Sequence, residues 1–91
     1  MKQQMNLRVF GLVQGIGFRH TCCQQAKKLD LTGQVSNQSD GSVEILAEGE
    51  ETDLKTFLAW CYNGVESARV DSIEELWSAA TGAYINFVIR F

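Results

Sequence analysis

Gly15, Gly17 and Arg19 crowd into the stretch GLVQGIGFR, residues 11–19, between a run of β-formers (MNLRVF) and a run of helix formers. Two glycines on either side of Ile16 let the chain take positive φ and turn successive amides inward. A strand end meeting a helix start leaves backbone N–H groups unpaired, and the helix dipole there favours negative charge. Arg19 adds a planar, permanently charged fork matched to phosphate or carboxylate oxygens. Together Gln14, Gly15, Ile16, Gly17, Phe18 and Arg19 have the makings of a cradle for a small tetrahedral oxyanion. On spacing alone, a plain tight turn with Arg19 as a surface cation fits equally well. No GK[ST] follows and no GxGxxG is formed, so a nucleotide site is not indicated.

Elsewhere the chemistry is sparse: no paired acids near the loop, no nucleophile with a base, and no cluster of metal-ligand residues. His20, the only histidine, sits in a first helical turn and reads as a partly exposed structural residue rather than a base. The three cysteines, Cys22, Cys23 and Cys61, are odd in number and unevenly spaced, which is no disulfide framework. Cys22 and Cys61 fall on apolar helix stripes and are expected in the core, with Cys23 near a stripe edge; a link between the helices stays open. Trp60 and Trp77 read as core or core-edge aromatics.

The elements that must position the loop follow from periodicity. Met5, Leu7, Val9, Gly11 and Val13 share one face of a strand predicted over about residues 5–13. Phe18, Cys22, Ala26 and Leu29 form one stripe of a helix whose last turns carry Lys27 and Lys28. The stretch TGQVSNQSDGSVEILAEGE predicts a hairpin around SDGS, with Val43, Ile45 and Ala47 on one face. The acidic run from Glu48 to Asp53 reads as a solvated loop leading into a second helix with Leu54, Phe57, Leu58 and Cys61 inward and Gly64 as its stop. SARVDSIEELW is a fourth strand of poor alternation. The last strand is expected to turn Ile85, Phe87, Ile89 and Phe91 one way. The order βαββαβ, with room for an extra edge strand, predicts an α+β, ferredoxin-like sandwich: a four- to five-stranded antiparallel or mixed sheet with two helices on one face.

Ninety-one residues are expected to make one domain, residues 1–91. A net charge of −3 and a pI of about 5.0 do not suggest a general polyanion binder, so any anion must be caught by a local site. Nucleic acid is not an expected partner: Phe10 offers a stacking ring, but Glu44, Leu46 and Glu48 lie on the outward face of the third strand. No stretch reaches membrane-spanning length, and the N-terminal residues lack a signal-peptide pattern, so the cytoplasm is the expected location and a monomer the default.

The loop resembles the signature of the acylphosphatase family, commonly written G-x-V-Q-G-V-G-F-R. A second stretch, GQVSNQSDGSVEILAEG, is similar to the family's other motif, with Gly33, Asn37, Gly41, Val43 and Gly49 in the matching places. SARVD and the terminal FVIR add to the likeness, which covers nearly the whole chain. The resemblance implies hydrolysis of small acyl phosphates to carboxylate and inorganic phosphate, without metal or cofactor. It also implies two catalytic residues: Arg19, which with the loop amides 14–19 would hold the phosphoryl group, and Asn37, which would hold the attacking water. Taken alone, Asn37 reads as a polar residue near a turn. Ile16 stands where valine is usual, Gln34 replaces an aromatic or apolar residue, and Ser36 a basic or longer polar one. The alternative is a non-catalytic phosphate-binding or regulatory module of the same fold. Similar domains begin the long hydrogenase-maturation carbamoyltransferases, but no zinc-finger cysteine spacing occurs here.

Overall fold

Alternating burial along the first strand decides the architecture. Met5, Leu7 and Val9 are wholly buried while Asn6, Arg8 and Phe10 between them are half-exposed, so one face of this strand must be covered and the other left open. The computed structural model describes residues 1–91. Its elements run β1 (Lys2–Leu12), α1 (Phe18–Lys28), β2 (Thr32–Asn37), β3 (Val43–Glu50), α2 (Glu51–Asn63), β4 (Arg69–Ala79) and β5 (Phe87–Arg90). The strands form one sheet in the order β4-β1-β3-β2-β5. All neighbours are antiparallel except β2 and β5. This is the expected ferredoxin-like α+β arrangement with β5 as the extra edge strand.

Both helices contribute their apolar stripes to one core. Phe18, Cys22, Cys23 and Ala26 of α1 and Leu54, Phe57 and Cys61 of α2 pack with Met5, Leu7, Val9, Val35, Ile45 and Ala47 of the sheet. Burying each larger apolar side chain contributes about 1.5–3 kcal/mol relative to leaving it exposed. Cys23 belongs to this core rather than to a stripe edge, and its thiol donates to the Phe87 carbonyl at 3.5 Å. All three cysteines are free. Burial, reinforced by the neighbouring Cys61, pushes the Cys22 thiol far up, which suits packing and not nucleophilic chemistry.

Two local expectations are corrected. Glu48, Gly49 and Glu50 belong to β3, not to a solvated loop, and Glu48 is only 4% exposed. Its outward-facing side chain is covered by the segment after β4: Thr81 donates its N–H and hydroxyl, and Gly82 its N–H, to the Glu48 carboxylate at 2.7–3.0 Å. Ile85 and Phe91 lie outside β5 and are fully exposed, so only Phe87 and Ile89 of the expected stripe pack inward. Gly64 ends α2 as expected, with φ −77°, an ordinary helical value. Glycine fits there because a Cβ would run into the Trp60 indole.

Candidate active site

Backbone geometry builds the first wall of the site. Gly15 and Gly17 take φ of 77° and 79°, the left-handed conformation that costs other residues a steric penalty. Gly17 is the N-cap of α1, no side chain caps that end, and its first turn holds no acidic residue. The first turn of α2 contrasts with it, since Glu51 and Asp53 there compensate the dipole. The N-terminus of α1 therefore keeps both its N–H donors and its positive dipole end available to an anion.

A cleft of about 210 Å³ opens at this point, lined by Val13, Gly15, Gly17, Phe18, Arg19, His20, Asn37, Ile89 and Phe91. No aspartate or glutamate lines it, although the protein as a whole carries a net charge of −3. Arg19, half-buried at the start of α1, donates through Nη1 to the Arg90 carbonyl at 3.1 Å, and its guanidinium lies 4.7 Å from the centroid of the Phe91 ring. The cation is thus aimed by β5 while keeping donors for a ligand. Asn37, the last residue of β2, has the strand parity of buried Gly33 and Val35, so it points to the helix side of the sheet, beyond the end of the core. Its carboxamide is exposed and shares the cleft with Arg19.

The sequence model of the acylphosphatase family matches residues 5–89. The chain belongs to the acylphosphatase family. An acylphosphatase of Caldanaerobacter subterraneus is 43% identical over 89 residues, spanning 98% of this chain and 99% of its own. One from a Synechococcus strain is 48% identical over 81 residues, covering 89% of this chain and 69% of its own. Among solved structures, the crystal structure of acylphosphatase from Bacillus subtilis superposes with a TM-score of 0.94 at 38% identity, covering 98% of this chain and 99% of that one.

The six loop positions differ in where they lie. Gly15, Gly17, Phe18 and Arg19 line the cleft, whereas Gln14 and Ile16 do not. Ile16 packs against the core. Gln14 spends its carboxamide elsewhere, donating through Nε2 to the carbonyls of Gln38 and Ser42, each at 2.8 Å. It ties the loop before α1 to the turn directly after Asn37. That turn is locked by Asp40, which accepts from the Ser42 hydroxyl and, at 2.9 Å, from the Ser42 N–H. These bonds from Ser42, with the Arg8 guanidinium beside them, hold the Asp40 carboxyl below its ordinary value.

The two unusual residues of β2 lie away from the cleft. Gln34 and Ser36 have the opposite strand parity to Asn37 and face the open side of the sheet. Gln34 accepts from Arg90 Nε at 3.1 Å, and Ser36 accepts from Gln38 Nε2 at 3.1 Å. His20 is exposed at the cleft wall. The apolar wall made by Val13, Ile89 and Phe91 was not anticipated as part of the site. Phe91 had only its place in an alternating run as a signal, and that run pointed to the core.

Proposed function

We propose that this protein is an acylphosphatase that hydrolyses the carboxyl-phosphate bond of small acyl phosphates, with Arg19 and Asn37 as its catalytic residues. One observation carries the reading: the uncapped, glycine-flanked start of α1 shares a carboxylate-free cleft with Arg19 and Asn37. The phosphoryl oxygens rest on the loop amides and the Arg19 guanidinium, which stabilise charge as it spreads over them. The Asn37 carbonyl accepts a hydrogen from a water in line with the scissile bond. Water oxygen bonds to phosphorus, the bond between phosphorus and the acyl oxygen breaks with its electron pair going to the carboxylate, and the water's proton passes to phosphate or solvent. A carboxylate with a pKa of about 4 leaves without a general acid. That accounts for a site with so few titratable groups. Residues 1–91 act as one domain, as a cytoplasmic monomer, and the reaction needs neither metal nor cofactor.

The test is phosphate release from benzoyl phosphate in the presence of a chelator. Turnover by the unmodified protein is expected to fall by about 10²–10³ in Asn37→Ala and by at least as much in Arg19→Ala. Phosphate protection of the loop without turnover would instead identify a non-catalytic binding module.

A further inference from the structure

The cleft has two unlike halves, and the reaction uses only one of them. Loop amides, Arg19 and Asn37 account for the phosphoryl group and the water. Val13, Phe18, Ile89 and Phe91 supply apolar surface to the same cleft. Val13 and Phe18 are buried in the core and Ile89 is half-buried against it, but the Phe91 ring is fully exposed. A phenyl ring left in water beside an anion site is apolar area without a partner in the fold. One side of that ring meets the Arg19 guanidinium at 4.7 Å, and this contact holds the aromatic surface next to the cation.

The substrate has the same division. A phosphoryl group seated on the loop amides and Arg19 leaves its acyl group one bridging oxygen away. That distance places the start of the acyl group against the rest of the same cleft. No acidic side chain lines it, and Arg19, its one permanently charged cation, is taken by the phosphoryl group. A second carboxylate or an ammonium on the acyl group therefore finds no dedicated partner. An apolar group finds Ile89 and Phe91.

Building on the hydrolase reading above, we propose that Phe91 and Ile89 form the acyl subsite and that the protein selects acyl phosphates with apolar, preferably aromatic, acyl groups. A flat ring gains most, because it can pack on the phenyl surface in an offset or edge-on geometry. Phe91 is then a specificity-determining residue, distinct in effect from any support it gives Arg19. Support for Arg19 alters all substrates alike, whereas an acyl subsite alters them unequally.

The experiment compares kcat/KM for benzoyl phosphate and acetyl phosphate in the unmodified protein, Phe91→Ala and Phe91→Leu. Intrinsic substrate reactivity cancels when the benzoyl-to-acetyl ratio is compared between variants. Phe91→Ala is expected to lower that ratio about tenfold, mainly through KM for benzoyl phosphate. Phe91→Leu, which keeps apolar surface but loses the cation–π contact, should retain most of it. Circular dichroism should show all three folded, since the side chain lies outside the core. An equal fall for both substrates in Phe91→Ala, with the ratio unchanged, would reduce Phe91 to a prop for Arg19 and overturn the proposal. Absence of turnover with either substrate in the unmodified protein would overturn the hydrolase reading, and this one with it.

Discussion

Gln14 shows how a side chain in the loop before α1 can matter without lining the cleft. Its two bonds, both 2.8 Å, join the loop to the carbonyls of Gln38 and Ser42, on either side of the turn that follows Asn37. The amides proposed to hold phosphate and the residue proposed to hold water are thereby fixed relative to each other. Displacement of a reacting group by about 1 Å can cost as much as 10²-fold in rate. Gln14→Ala is therefore expected to lower kcat by about tenfold or more while changing inhibition by inorganic phosphate much less. Gln14→Glu, which keeps the shape but loses both donors, should do no better. Steady-state kinetics with phosphate as competitive inhibitor would check this, and parallel losses in both quantities would contradict a positioning role. Arg19 and Asn37 were legible in the sequence because each sits within a long, specifically spaced motif. The pairing of Gln14 with residues 38 and 42 was not, because no local pattern reports which carbonyls a carboxamide will find across the fold.

Among the elements, β3 carries the most instructive miss. Its Glu48 looked like part of a solvated acidic run, and single-residue polarity supports that reading. Pairing overrules it: β3 lies between β1 and β2, so its end stays extended while the 80–82 segment folds over Glu48. Burial raises the carboxyl's pKa, but bonds from Thr81, Gln4 and Gly82 outweigh it, and the net shift is downward from the ordinary value of 4.5. A carboxylate with a depressed folded-state pKa adds stability that is fully present above its unfolded pKa. That contribution is lost as pH falls through the folded value. Glu48→Gln is thus expected to destabilise the protein by about 1–2 kcal/mol at neutral pH. The gap to the unmodified protein should narrow as pH drops below about 4.5. Urea unfolding across that range would show it, and a gap independent of pH would contradict the assigned bonds. The core faces of β1, α1 and α2 were read correctly because their apolar periods are long and regular. The edge strand β4 alternates poorly, being mostly exposed and held by its pairing with β1.

At the scale of the whole molecule, the strand order explains why one end of the sheet becomes the site. With β1 and β2 separated by β3, the loop after β1 and the end of β2 open at the same edge, and the parallel β5 brings its last residues there too. The βαββαβ order was legible from periodicity, but the parallel placement of β5 beside β2 was not. It depends on contacts between segments more than fifty residues apart, such as Gly33 opposite Phe87. For the same reason, the sequence hid the apolar half of the cleft.

The bond from Arg19 to the Arg90 carbonyl has a thermal consequence. It rests on β5, a strand of four residues, paired on one side only and in parallel, at the rim of the sheet. Such a segment frays at a free-energy cost well below that of global unfolding. Each fraying event at the Arg90 end frees the guanidinium from its backbone anchor while Phe87, at the other end of the strand, stays packed in the core. On warming, the catalytic rate should therefore fall away from its Arrhenius line several degrees before circular dichroism registers any melting. The amides of residues 87–90 should exchange with deuterium ahead of those in β1. Readiness for catalysis would then be set by the least durable strand of the molecule, which premelts while the fold around it is still intact.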